Sequence, residues 1–290
     1  MPTLMVVGSG GRLGSTLVPY LRAGGHHVVT AARTRADVMV DLTDQRQVTA
    51  TLDQVAPDII VHLVALTDVD QCERQPHLAY LSNVRTVETI STWMTARGVS
   101  PHLIYVSTDQ VYDGAGAHVE TDITLTNYYA FSKYAGELAA ATVSSTILRT
   151  NFFGRSHAPG RPSLSDWLVG ALRQGAPINV FDDVRFSPLS LRRLATLIER
   201  VATSRKRGCF NLGSTDGLSK ADFAFELAAA LQLPTHGLTR TSVDHARLGA
   251  YRPRGMCMDS SQFERTFGVV LPTLKEEIHL AGQDYLDDSR

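Results

Sequence analysis

Five short apolar runs recur through the first half of the chain: "TLMVVGS", "HHVVTAAR", "DIIVHLVAL", "HLIYVSTD" and "STILRTNF". Each is continuous rather than alternating, the pattern of strands buried on both faces of a sheet. Amphipathic stretches separate them. "LGSTLVPYLRAGG" follows the first run and ends in a Gly pair, and "TDQRQVTATLDQVAP" is predicted as a helix capped by Thr43 and stopped by Pro57. One further helix is expected between Pro76 and Gly98, and another carries "NYYAFSKYAGELAAAT" from Asn127. Strands alternating with helices in this way predict an α/β protein with a doubly wound parallel sheet of Rossmann type.

After Phe153 the texture changes to the Gly-, Pro- and Ser-rich "GRSHAPGRPSLSDW", which marks a boundary. Residues 1–153 are expected to form a dinucleotide-binding domain. Residues 154–290 are expected to form a smaller α/β substrate-binding region, with about 185–204 returning to the first domain. Beyond the boundary the pattern predicts helices from Ser163 to Gln174, near Ser190 to Thr203, from Ser219 to Leu231 and from Leu274, with strands at Ile178–Phe181 and "GCFNLG".

Composition narrows the function class. The 290 residues are 43% hydrophobic and 20% charged, ordinary for a globular protein, and the net charge of -1 has no blocks of one sign. No footprint for nucleic acid or a membrane surface follows. The three cysteines are scattered, odd in number and without CxxC spacing, which suits a reducing cytosol. "TLMVV" is too short for a signal segment, and no run approaches the ~18 apolar residues of a membrane helix. A cytoplasmic protein is expected. The ten histidines show no HxxxH pair or metal-ligand cluster, so they read as structural and no metal is expected.

Candidate chemistry lies at five places. "VVGSGGRLGS" sets Gly8, Gly11 and Gly14 at GxxGxxG spacing between a strand and a helix, where backbone can approach a pyrophosphate. The second strand ends "TAARTR", placing Arg33 and Arg35 where an NAD site usually offers an acid to the ribose 2′-OH. Arginine there favours a 2′-phosphate, hence NADPH over NADH. Asp41 ends the next strand, where it could meet an adenine amino group or serve only as a strand-terminal Asp. In "IYVSTDQVYDG", Ser107 and Thr108 stand at the C-terminal edge of the sheet, and Thr108 can hydrogen-bond a substrate carbonyl. Tyr129 and Lys133 are four apart and share a helix face, whereas Tyr128 pairs with Ser132. An ammonium beside a phenol is expected to lower its pKa, and Lys133 can also hold the nicotinamide ribose.

With these motifs in order, the sequence resembles the extended short-chain dehydrogenase/reductases, and more closely the dTDP-4-dehydrorhamnose reductase family. "DLTD", "LTDVDQCE", "STDQVYDG", "YAFSKYAGE", "LRTNFFG", "VFDDVRFSPL" and "RPRGMCMD" follow that family's order across nearly the whole chain. The resemblance implies a 4-keto-6-deoxy sugar nucleotide substrate, Tyr129 as proton donor, Thr108 as carbonyl partner and Lys133 as cofactor anchor. It implies Arg12, Leu13, Leu42 and Ala65 beside the cofactor, and Asn83 as support for the active-site backbone. It also places Asp68, Val69, Ser107, Asp109, Asn151, Phe152, Arg185 and Arg252 with the substrate, and allows a homodimer. "HLVALT" replaces an alanine-rich stretch usual in the family, a Phe stands where a Trp is usual, and Tyr128 replaces a small residue and is expected to pack beside the site. Gln110 after Asp109 cannot carry a proton, which argues against dehydration. A sugar 4-epimerase and a non-catalytic NADP-binding regulatory subunit are the alternatives.

Overall fold

The computed structural model describes residues 2–98 and 101–286. Its first half runs β1 (Thr3–Val7), α1 (Arg12–Ala23), β2 (His27–Ala32), β3 (Val38–Met39), α2 (Gln45–Val55), β4 (Ile59–His62), α3 (Val69–Arg74), α4 (Pro76–Tyr80), α5 (Thr86–Arg97), β5 (His102–Val106), α6 (Tyr128–Ala141) and β6 (Ser145–Thr150). The second half continues with β7 (Phe152–Phe153), α7 (Leu164–Arg173), β8 (Ile178–Phe181), β9 (Arg185–Phe186), β10 (Leu189–Ser190), α8 (Leu191–Ser204), β11 (Gly208–Leu212), β12 (Leu218–Ser219), α9 (Lys220–Ala230), β13 (Leu238–Thr241), β14 (Gly255–Met256), α10 (Ser261–Phe267) and α11 (Leu274–Leu286).

The predicted parallel sheet is present, in the order β11-β6-β5-β4-β1-β2-β3 with every pairing parallel. The chain winds outward from β1 to β3 and then back through β4, so the strand order reverses between β1 and β4. That reversal opens a crevice at the carboxyl ends of these strands. One face of the sheet packs α1 and α8 through Leu17, Leu21, Ile198 and Val201, and the other packs α2 and α5 through Leu52, Ile90 and Trp93. A third apolar cluster, built on Phe153, Phe186 and Phe223, holds the second lobe together.

Local chemistry explains where elements start. Ser163, Ser190 and Ser219 each cap a helix by accepting a backbone N–H three residues on. Helix α2 is capped by Asp44, not by Thr43. The Thr43 hydroxyl is taken by Asp41 Oδ1 at 2.8 Å, and Asp44 Oδ1 accepts from Arg46 N at 2.8 Å. The single helix expected from Pro76 to Gly98 is α4, a π turn over Leu81–Arg85 and α5. The sheet-associated part of the second half is larger than the expected stretch of about 185–204. β11 completes the sheet against β6, and Phe263 and Phe267 of α10 pack under it.

Among the described residues no helix is long and apolar enough to cross a membrane, and no group of three or more His, Cys, Asp or Glu could hold a metal. Burial holds His62 down at about 3 and His102 at about 4, and it pushes the Cys72 thiol up to about 11 and Cys209 to about 12.

Candidate active site

The glycine turn sits at the mouth of the crevice. Gly8 has φ +82°, and a Cβ there would stand 2.9 Å from Val64 N, so the position requires glycine. Gly14 lies against Ser9, where a Cβ would come within 2.4 Å of its carbonyl oxygen. Gly11 caps α1 without any side-chain hydrogen bond, and no acid lies in the first turn. The N-terminal N–H groups of α1 therefore face the crevice unopposed by negative charge, as an anion site needs.

Around the turn, Arg12 reaches Thr67 Oγ1 at 3.4 Å and Pro162 O at 3.5 Å. Leu13 and Leu42 are buried in the core, and Ala65 is half-buried beyond β4. Arg33 and Arg35 are exposed just past β2. Asp41 binds Thr43 rather than projecting freely, accepting from its backbone N at 2.9 Å.

Helix α6 carries the reactive face. Asn127 caps it by accepting from Ala130 N at 2.8 Å. Tyr129, Lys133 and Glu137 follow at intervals of four and are all buried. Tyr129 is 7% exposed but Tyr128 is 43% exposed, with its ring edge-on to Phe131. Tyr128 thus lies on the outer surface and not beside the site, because one residue of helix rotates a side chain by about 100°.

Burial governs the charges here. It pushes the Tyr129 phenol up to about 12, against a Thr108 hydrogen bond that lowers it. The expected lowering by Lys133 does not occur. Lys133 is itself brought down to about 7 by burial, against the Glu137 charge, and its Nζ donates to Val106 O at 2.8 Å over the Tyr105 ring. Asp109 is pushed up to about 6 by burial, opposed by Asn151, whose amide donates to its carboxylate at 2.7 Å, and by the Lys220 charge.

Two buried networks hold this geometry. Asn83 sits in the π turn, accepts from Leu66 N at 2.7 Å and donates to Ser132 Oγ at 2.8 Å, tying the loop after β4 to α6. Ser107 does not face the crevice; its hydroxyl donates to Glu137 Oε1 at 2.5 Å. Glu137 also pairs with Arg149 at 2.6 Å, and Arg149 donates to the Tyr112 hydroxyl at 2.7 Å. Glu137, Arg149 and Lys220 went unnoticed in the sequence. Only Glu137 carried a signal, lying one further helical interval beyond Tyr129 and Lys133.

The remaining expected substrate residues divide. Asn151 lies beside Asp109, and Val69 packs in one cluster with Tyr129 and Cys72. Asp68 caps α3, and Phe152 packs against the main core. Arg185 donates to Gly217 O at 2.7 Å, and Arg252 pairs with Asp70 at 3.0 Å.

The family model described as "RmlD substrate binding domain" matches residues 2–286. The chain belongs to this family. Among its relatives, the dTDP-4-dehydrorhamnose reductase of Aggregatibacter actinomycetemcomitans is 30% identical, over 93% of this chain and 94% of that protein. The "Probable low-salt glycan biosynthesis reductase Agl14" of Haloferax volcanii is 28% identical, over 94% of this chain and 95% of that protein. Methionine adenosyltransferase 2 subunit beta of Pongo abelii is 28% identical, over 92% of this chain and 82% of that protein. The RmlD-family fold is equally clear in solved structures. That of dTDP-4-dehydrorhamnose reductase from Bacillus anthracis, in complex with NADP, superposes with a TM-score of 0.88 at 22% identity, over 98% of this chain and 99% of that one.

Proposed function

We propose that the chain reduces the C4 ketone of a nucleotide-diphospho-4-keto-6-deoxy sugar with NADPH, as a step in deoxysugar or glycan synthesis. The observation that carries this reading is the buried Tyr129 phenol beside the Thr108 hydroxyl, facing the crevice of a glycine-turn sheet. Two hydroxyls converging on one point suit a carbonyl oxygen that becomes an alkoxide. Tyr129 gives its proton to that oxygen while Thr108 holds it, and burial keeps the phenol protonated until the oxygen becomes basic enough to take the proton. Asn83 and Ser132 keep α6 in register with the loop after β4.

The glycine turn fits a dinucleotide, because a Cβ at Gly8 or Gly14 would collide with backbone and the α1 N-terminus is unopposed. NADPH bound there supplies the hydride. Gly8, Gly11 and Gly14 would line its pyrophosphate, Arg33 its 2′-phosphate and Lys133 its nicotinamide ribose. Arg33→Ala should then raise the KM for NADPH about tenfold, in line with the loss of one charge-assisted contact, and leave that for NADH unchanged. Equal effects on both cofactors would remove Arg33 from this role.

The reading is tested by asking whether purified protein oxidises NADPH when dTDP-4-keto-6-deoxy-L-hexose is added. Unchanged absorbance would contradict it. The similarity to methionine adenosyltransferase 2 subunit beta favours one second reading, a regulatory subunit that binds NADP without turnover. A 4-epimerase would interconvert sugars with no net consumption of NADPH. The site would work in the cytoplasm, where NADPH is supplied. A homodimer would bury the apolar outer face of α6, where Phe131 and Leu138 are 56% and 57% exposed. A monomeric mass by light scattering at micromolar concentration would contradict that.

A further inference from the structure

A segment of the second lobe crosses to the first beside the Tyr129 phenol. Residues 249–255 lead into β14, which pairs with β9, so their far end is rooted in the second lobe. Their near end lies on α3, where Asp70 Oδ1 accepts from Ala250 N at 2.9 Å and pairs with Arg252 Nη1 at 3.0 Å. Arg252 Nη1 also donates to Ala250 O at 2.8 Å, which fixes the bend. Next along the segment, the Tyr251 carbonyl accepts from Asn127 Nδ2 at 3.1 Å, and the Tyr251 hydroxyl donates to Asp113 Oδ2 at 2.9 Å. Asp113 Oδ1 accepts from Arg254 N at 2.8 Å, and a Cβ at Gly255 would stand 1.5 Å from Gly114 O. The segment is thus a strap fastened to the first lobe by Asp70, Asp113 and Asn127.

Beneath the strap lies the reactive turn of α6. Ala250 is buried in one cluster with Val69, Cys72, Ala79 and Tyr129. Asn127 stands two residues before Tyr129, and its amide is used on both sides: Oδ1 caps α6 by accepting from Ala130 N at 2.8 Å, while Nδ2 holds the strap. An aspartate would cap the helix equally well but has no N–H to give to a carbonyl. Glu73 of α3 accepts from Tyr128 N at 3.0 Å, so α3 and the strap together grip the turn that carries the phenol.

We propose that residues 249–255 are a strap through which the second lobe positions Tyr129 for proton transfer, with Asp70, Asn127 and Arg252 as positioning residues. The catalytic part rests on the reductase reading. None of the three gives or takes a proton. Their effect is geometric: the fastened strap holds the phenol in one orientation, and releasing it costs rate and not cofactor binding.

The test follows Arg252→Met, Arg252→Lys and Asn127→Asp, with Arg240→Met as control, since Arg240 pairs with Asp222 on the surface of the second lobe. Hydrogen exchange of residues 249–255 should quicken about tenfold in Arg252→Met and Asn127→Asp, the worth of one hydrogen bond, and not in the control. Asn127→Asp keeps the helix cap, so its effect is not a loss of fold. In the same two variants kcat for the keto-sugar should fall about 10- to 100-fold, with part of it kept in Arg252→Lys and the KM for NADPH unchanged throughout. A merely structural strap would loosen without touching the chemistry, so an unchanged kcat alongside faster exchange would overturn the proposal. Unchanged exchange in both variants would overturn it as well. Fluorine NMR with 3-fluorotyrosine in place of Tyr129 reads the same coupling without turnover. Its resonance should shift or broaden in Arg252→Met and Asn127→Asp but not in Arg240→Met. An Arg252 that touched only substrate would raise the sugar's KM and leave that resonance in place. A resonance that does not move would overturn the proposal even if the reductase reading had itself failed.

Discussion

Tyr129→Phe is expected to lower kcat by about 10²- to 10⁴-fold, the usual worth of a positioned general acid, while NADPH still binds. The phenyl ring keeps the packing with Val69 and Cys72, so the loss falls on proton donation alone. Tyr128→Phe should have no such effect, because its ring lies on the outer face of α6 with 43% exposure. Burial holds the Tyr129 phenol at about 12, so its proton remains in place at neutral and moderately alkaline pH. The wild-type rate should therefore not fall between about pH 7 and 9 through loss of that proton. Steady-state kinetics of both variants across this range check the prediction, and equal losses in the two would refute it.

Glu137→Gln is expected to cost about 3–5 kcal/mol of stability, the usual cost of breaking a buried ion pair from one side. Arg149 and Glu137 are 5% and 3% exposed, and the guanidinium makes three contacts to the carboxylate at 2.6–3.1 Å. Removing the negative charge leaves a buried cation whose remaining acceptors, the amide oxygen at position 137, the Tyr112 hydroxyl and the Glu120 carbonyl, carry no charge. It also removes the carboxylate that receives the Ser107 hydroxyl, so the turn carrying Thr108 should loosen and activity should fall with stability. Replacing Glu137 and Arg149 together by leucine should cost less than the single change, since no charge is then stranded. Urea denaturation measures both variants against wild type. A loss below about 1 kcal/mol for Glu137→Gln would show that the pair is not what holds this corner.

Much of the fold was legible because its signals are local. Apolar runs, serine caps and glycine turns act within a few residues, and the strands and most helices of the sheet follow from them. The π turn over Leu81–Arg85 was not legible as a break in the helix expected from Pro76, since an i,i+3/i+4 pattern runs through it. Thr43 was indistinguishable from Asp44 as a cap until Asp41 was seen to occupy its hydroxyl. The attachment of β11 to β6 depends on a sheet edge formed some sixty residues earlier, which no local pattern encodes.

For the site, helical spacing distinguished Tyr129 from Tyr128. It could not give the direction of the pKa shift, because spacing reports proximity and not desolvation. Lys133 came down and the phenol went up for the same reason, burial in a low-dielectric interior. Glu137 meets Ser107 across 30 residues of sequence, and Asn151 meets Asp109 across 42. Such partners are brought together only by the tertiary fold.

The central claim is that hydride reaches C4 of a nucleotide-linked keto-sugar while Tyr129 supplies the proton. The most direct test is to incubate the protein with NADPH deuterated at C4 of the nicotinamide and dTDP-4-keto-6-deoxy-L-hexose, and to locate the label by NMR. Deuterium at C4 of the sugar, absent with Tyr129→Phe, is the predicted result. An unlabelled sugar with NADPH bound but intact would contradict the account and leave the regulatory reading in its place.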